Sequence, residues 1–284
     1  MRWIWTVIFG LIASLSVPAT EVSLQYTNPP VGTLAVESSQ TLMEFKLNAK
    51  APNGDIKNSF EQSVSGSKKR EATVLAAGTD APSKVKVHYE LFEQKFSRTG
   101  MDPKTREEPV NGKTFVVESK DAGITATNEK GEAVSADEEK SLRVDLRILF
   151  QSPNRFAQLF GGKKFNPGQS VEISDELRED LIGGGTNGMK IITFALVFKE
   201  TRTINGMECA VFTQDVRMGK KDKTLSLSVE LHGETVVGMA NCWPVAVKLS
   251  GPILIGGEQG DGANKVTMEG QGKMLVSWEV SYGK

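Results

Sequence analysis

Period-two alternation of apolar and polar side chains decides most of what this chain can become. Met43, Phe45 and Leu47 alternate with Glu44, Lys46 and Asn48, and Val85, Val87, Tyr89 and Leu91 alternate with Lys84, Lys86, His88 and Glu90. Leu225, Leu227, Val229 and Leu231 repeat the pattern, as do Met274, Val276, Trp278, Val280 and Tyr282, with Leu275 the exception. Successive side chains of a strand point to opposite faces, so such runs read as antiparallel strands with one face on a core and one in water. Turn signals separate them at Asn53-Gly54-Asp55, Lys130-Gly131, Asn205-Gly206, Gly251-Pro252 and the Gly256–Gly262 stretch. Asn205-Gly206 predicts a two-residue hairpin. With 28 Gly, 11 Pro and only 39% hydrophobic residues in 284, the composition suits one-sided strands and many turns. The fold class that follows is mainly β (α+β): long antiparallel meander strands forming a curved sheet or half-barrel, with two or three short helices in the middle of the chain.

Ile192, Phe194, Leu196 and Phe198 point one way and Ile191, Ala195 and Val197 the other, which predicts a central strand covered on both faces. The middle of the chain is the source of that cover. Ser135-Ala136-Asp137-Glu138 fits a capping box, followed by Leu142, Leu146, Leu149 and Phe150 at helical spacing. Residues 141–150 also alternate as a strand would, and the capping box with its acidic first turn tips the choice to helix. Ser152-Pro153 opens a second short helix carrying Phe156, Leu159 and Phe160, and Ser174 to Ile182 forms a third. No Pro- or Ser-rich linker divides the chain, so residues 20–284 are expected to form a single β-rich domain, with a helical insert at about 136–183 between two strand meanders. Gly100–Lys113 reads as an exposed loop.

Residues 1–19, MRWIWTVIFGLIASLSVPA, have the form of a cleaved signal peptide: a positive start, an apolar run of about 13 residues, and small residues before a cut after Ala19. That run is too short to span a bilayer, which takes about 20 residues. The expected localisation is therefore secreted or periplasmic, with no transmembrane segment after cleavage. Removing the segment takes one of the 34 basic residues and turns the formal charge from −1 to −2. Cys209 and Cys242 then become a disulfide candidate, a staple rather than a redox pair, since no C-x-x-C occurs. The alternative is two separate buried thiols.

The motifs that carry chemistry do not survive their context. Gly183–Gly188 matches G-x-G-x-x-G literally, but a helix precedes it and a strand follows, the reverse of a dinucleotide site. Ser65–Lys68 matches S-x-x-K without the companion motifs, and reads as a turn. His88 and His232 fall on the polar phase of their strands. The acidic groups at 137–139 and 175–180 sit in first helical turns, where the helix dipole already favours them. Lys68-Lys69-Arg70, Lys163-Lys164 and Lys220-Lys221-Asp222-Lys223 read as solvated hairpin ends without interleaved aromatics. No catalytic residue, metal site or cofactor is expected, and the charge balance excludes a nucleic-acid partner.

What remains is apolar shape. Phe194, Phe198, Trp243 and Trp278 are candidate lining for an apolar ligand held between the curved sheet and the middle helices. The order of signal, meander, helical middle, the segment Phe165-Asn166-Pro167-Gly168-Gln169-Ser170-Val171 and second meander resembles uncharacterised exported bacterial β-rich proteins. Those carry no assigned catalytic residues. In architecture alone the chain also resembles the helix-plugged half-barrels of envelope lipoprotein carriers. Three functions follow as expectations: non-enzymatic binding of an apolar or lipidic small molecule in the cell envelope, a structural or adhesive interaction module, and, last, a hydrolase.

Overall fold

A computed structural model describes residues 21–120, 123–151, 154–182, 189–221, 224–260 and 265–283. The signal segment, Ser152-Pro153 and Gly183–Gly188 lie outside the described residues. The first half runs β1 (Val22–Ser23), β2 (Leu34–Lys50), β3 (Ile56–Ala77), β4 (Pro82–Arg98), β5 (Met101–Glu107), β6 (Thr114–Lys120) and β7 (Gly123–Asn128). The middle holds α1 (Ala136–Leu146), α2 (Arg155–Phe160), β8 (Lys164–Phe165) and α3 (Asp175–Ile182). The second half is β9 (Lys190–Ile204), β10 (Met207–Lys221), β11 (Leu225–Gly238), β12 (Pro244–Gln259) and β13 (Val266–Gly283). The chain is mainly β, with 65% of residues in strands and 9% in helices, and its large antiparallel sheet does not close into a barrel.

The sheet order is β7-β6-β4-β3-β2-β13-β12-β11-β10-β9, with β5 on the far half of β4. Each half is a meander of hairpins, and the two join where β2 pairs with β13 from Leu34↔Gly283 to Lys50↔Thr267. The connection from β7 to β9 therefore has to travel from one edge of the sheet to the other, and the helices lie along it. Asn205 and Gly206 both adopt positive φ (50° and 77°), the two-residue hairpin read from Asn-Gly.

The helical insert forms as its caps dictate. The Ser135 side chain accepts a hydrogen bond from the Glu138 amide and the Glu138 carboxylate accepts one from the Ser135 amide, so the 141–150 ambiguity resolves to α1 followed by a turn. The second helix is capped by Asn154, whose side chain accepts from the Phe156 and Ala157 amides. Leu142, Leu146 and Phe150 pack on Val85, Val87, Tyr89, Phe115 and Val117. On the other flank, Leu159 and Phe160 of α2 pack with Phe165, Phe198 and Phe212. The Phe160 and Phe212 rings lie 4.8 Å apart, and Phe165 meets Phe212 edge-on at 5.4 Å.

Several local readings are corrected. β9 is an edge strand, not a central one. Its cover comes from beside it: Pro167-Gly168 turns the chain (Gly168 φ 81°), and the backbone of Gly168, Gln169 and Val171 bonds to Leu196 and Phe198. That pairing hides an edge that would otherwise invite another strand. A register shift at Arg217/Met218 changes the face of the residues at the start of β9, so Ile191 pairs with Met218 while Ile192 is exposed. A similar shift at Lys69/Arg70 places Leu91 opposite Lys69 and turns Phe92 onto the α1 cluster in its stead. Gly100–Lys113 is not all loop, because Met101–Glu107 pairs as β5 with β4. Ser65–Lys68 lies in the middle of β3 rather than in a turn.

Gly251-Pro252 is likewise no turn. It lies inside β12, where the β11–β12 ladder lapses between Val229↔Ile253 and His232↔Ser250. A Cβ on Gly251 would lie 1.8 Å from the Glu230 carbonyl oxygen, and one on Gly233 would lie 1.8 Å from that of Lys248. The strands cross too closely at these points for any side chain, which is how the sheet bends sharply there. Gly251→Ala is expected to cost about 3 kcal/mol, the upper range for overpacking, because the clash is with backbone. Urea unfolding followed by circular dichroism measures it, and an unchanged midpoint refutes the crossing.

Candidate functional site

The helices cover the two flanks of one sheet face and leave its middle open. Two hollows result. The larger, about 700 Å³, is lined by Phe194, Val216, Met218, Val229, Leu231, Leu249, Met274 and Val276, with Phe156 and Phe160 of α2 on the helical side. The inward phases of five consecutive strands build it, so its apolar character follows from the alternation itself. Its polar lining is Gln214, Thr235 and Lys220. The Thr235 hydroxyl donates to Gln214 Oε1, so those two buried groups satisfy each other.

The smaller hollow, about 370 Å³, lies between α1 and the start of α2. Trp243, Trp278, Tyr282, Ile148 and Leu149 line it, and so do Glu37, Lys68, Arg70 and Asp145. Phe156 and Val247 line both hollows, which therefore adjoin. Trp243 is fixed by a 2.7 Å bond from its Nε1 to the Thr27 carbonyl and by its contact with Tyr282, ring centroids 4.8 Å apart.

The charged group between α1 and the sheet is compact. Asp145 of α1 reaches down to β3 and β4: Lys68 Nζ donates to its Oδ1 at 2.6 Å, the Tyr89 hydroxyl donates to its Oδ2 at 2.7 Å, and Arg70 Nη1 donates to the same oxygen. Arg70 also grips Glu37 Oε2 from Nε and Nη2, at 3.0 and 2.6 Å. Lys68 Nζ lies 2.6 Å from Glu37 Oε1, an ion pair, yet that oxygen accepts no aligned hydrogen bond. Side-chain exposure is 14% or less for all four charges, so none is a surface pair. Burial alone would push both carboxyls up, but Arg70 and Lys68 outweigh it and hold Glu37 and Asp145 below their ordinary values. Burial, aided by Asp145, pushes the Tyr89 hydroxyl far up and keeps it a donor.

The candidate residues read from the sequence divide. Phe194 lines the larger hollow, and Trp243 and Trp278 line the smaller. Phe198 lines neither: at 1% exposure it fills the aromatic cluster on Phe212. The Lys68-Lys69-Arg70 run is no solvated hairpin end, because it lies mid-strand with Lys68 and Arg70 turned inward. The available signal was phase: Arg70 shares the inward phase of Ala72 and Val74. His88 meets Thr114 Oγ1 at 2.9 Å, and His232 meets Asp215 at 2.5 Å on an exposed surface. Neither lines either hollow. The expected Cys209–Cys242 bridge is absent, and both thiols are free and buried. Cys209 packs with Val211 and Val236, whereas Cys242 packs with Phe212 and Val237 on the helix-bearing face, so the sheet separates the side chains. Among the described residues no group of three metal ligands occurs, and no helix is long and apolar enough to cross a membrane.

Fold and hollow together define a class: an open antiparallel sheet with helices on one face and apolar space between them. No family model matches the chain, and no curated protein matches it. Among solved structures, one described as "Lipid-protein interactions in lipovitellin" is similar over 89% of this chain and 26% of that one, with 8% identity and a TM-score of 0.34. The chain thus spans about a quarter of the length of that lipovitellin chain. The complex of Pseudomonas aeruginosa MucA and MucB matches over 82% of this chain and 88% of that one, with 8% identity and a TM-score of 0.10. Likenesses this slight carry no argument about function.

Two measurements test this site. Arg70→Met leaves two buried carboxylates with one cation, Lys68, and is expected to cost about 3–5 kcal/mol in urea unfolding. Because Glu37 and Asp145 are held below their unfolded values, the stability they contribute is present above about pH 4–4.5 and is lost as pH falls further. A midpoint insensitive to Arg70→Met would remove the cluster from the stability of the fold. The second concerns the thiols. Burial pushes Cys242 up to about 12 and Cys209 upward too, so an aromatic disulfide reagent at pH 8 should find no reactive thiol in the native chain and both after denaturation. A denatured, unreduced chain without free thiols would restore the disulfide.

Proposed function

We propose that this chain is a non-enzymatic binding protein of the cell envelope or exterior, holding an apolar or lipidic molecule between the curved sheet and the middle helices. The observation that carries this reading is the 700 Å³ hollow, whose lining is almost wholly aliphatic, aromatic and Met side chains. Ligand sites typically enclose about 300–1,000 Å³ with predominantly apolar walls and few polar groups. The export part of the reading rests on residues 1–19 of the sequence.

The other two functions draw less support. A hydrolase needs a base in a cleft, and neither histidine lines either hollow. An adhesive module needs a continuous exposed apolar patch. Among the exposed large apolar residues, Ile192 and Leu254 line one surface hollow together, beside Lys190, Arg217 and Lys220.

Native mass spectrometry of the purified protein tests the reading. A lipid-mass adduct, or uptake of an apolar fluorescent dye, is expected. Leu249→Trp and, independently, Met274→Trp fill the hollow and should weaken uptake about tenfold or more, a change of about 1.4 kcal/mol. A folded chain that carries no adduct and takes up neither dye nor fatty-acid ester would overturn the proposal.

A further inference from the structure

We infer that the ligand is a single unbranched chain and that Phe156, standing over Val247, is the stop that limits its length in the 700 Å³ hollow. This deepens the apolar-ligand reading and rests on it. The hollow is long for its volume. Its lining on β11 runs from Leu227 to Thr235, and Val247 of β12 pairs with Thr235 at the inner end. At about 3.3 Å per residue that is roughly 25 Å of strand, more than twice the width of a sphere of equal volume. An extended chain uses such a space, whereas a compact ring system would fill only part of it. Lys220, which pairs with Leu227, marks the outer end, since a lysine in an apolar wall carries its ammonium to water.

At its inner end the hollow meets the smaller one, and among the described residues only Phe156 and Val247 line both. One comes from α2 and the other from β12, so the junction is a gap between a helix side chain and a sheet side chain. Phe156 is held at its backbone and at its ring. Its amide donates to Asn154 Oδ1 at 2.9 Å, which fixes the start of α2. Its ring stacks on Phe160 at 6.2 Å, and Phe160 is itself packed on Phe212 at 4.8 Å. The ring is therefore a braced wall. On the near side Leu231, Leu249 and Val276 give each added methylene something to pack on until the chain tip reaches the ring. On the far side Trp243, Trp278 and Leu149 continue the apolar space, so a chain could extend there once the ring is removed.

A homologous series of saturated fatty-acid methyl esters, octanoate to eicosanoate, tests this on the unmodified chain by displacement of an apolar dye. Affinity should rise about fourfold with each added methylene and then break to a plateau at the length that reaches Phe156. Methyl phytanate, which is branched, should bind about tenfold more weakly than methyl palmitate, its straight-chain parent. Phe156→Ala should move the break to longer chains, binding the ester two methylenes past the original break about tenfold tighter than the unmodified chain does. Val247→Phe narrows the same gap from the sheet and should move the break to shorter chains. The break in the unmodified chain and the phytanate comparison stand whether or not either variant folds. A series that climbs to eicosanoate without a break, a break that Phe156→Ala leaves in place, or phytanate binding as tightly as palmitate overturns the chain-and-stop assignment and leaves the apolar hollow as a site. No binding of any ester by a folded chain overturns the underlying reading instead.

Discussion

The pairing of β2 with β13 is the constraint from which the rest of the structure follows. It joins two meanders through the first long strand and the last, so β7 and β9, consecutive in the chain among the strands of the large sheet, end at its opposite edges. At about 4.8 Å per strand those edges are roughly 40 Å apart, and the strands between them run about 50 Å at 3.3 Å per residue. The connection cannot pass through the sheet, so it crosses a face. That face becomes the interior, and the inward phase of the strands beneath the helices becomes core.

The crossing segment is too short for the area. α1, α2 and α3 have 11, 6 and 8 residues. At 1.5 Å per residue they measure about 16, 9 and 12 Å. They anchor at the flanks, α1 on the Tyr89–Phe115 side and α2 on the Phe198–Phe212 side, where aromatic side chains meet them. The middle strands, β2, β13 and β12, are left to face space. The hollows are therefore a consequence of topology and helix length, not of any one residue.

This explains which parts of the fold were legible in the sequence. Alternation revealed the strands, Asn205-Gly206 the hairpin and Ser135–Glu138 the first helix, because each is written in neighbouring residues. Position in the sheet is not: the two-sided apolar run Ile191–Phe198 looked central, yet its outer edge is covered by Gly168–Val171 and its phase is altered by a register shift. Gly251-Pro252 looked like a turn because the same residues serve a bend inside a strand. At the site, Phe194, Trp243 and Trp278 could be named from size and phase, while Phe198 could not be told from them, since lining and filling residues look alike. The ion cluster was missed for a further reason. Glu37, Lys68, Arg70 and Asp145 come from three elements up to 108 positions apart, and each alone passes for a surface charge.

That cluster and the hollow answer one another. A helix held only by apolar contacts over an unfilled middle could slide inward to close the space, since hydrophobic contact is non-directional. Asp145, bonded to Lys68, Arg70 and Tyr89 at once, fixes α1 in one place, because any slide would leave buried charges unpaired. The lining points the same way. Core positions selected for packing alone favour side chains with few rotamers, whereas Met43, Met189, Met218 and Met274 bring flexible, polarisable thioethers to the walls of the larger hollow. Such walls lose dispersion contacts while the hollow is empty and recover them around guests of more than one shape. The fold thus sets stiff electrostatics beside adaptable apolar walls, an arrangement that keeps a space open while leaving its outline adjustable.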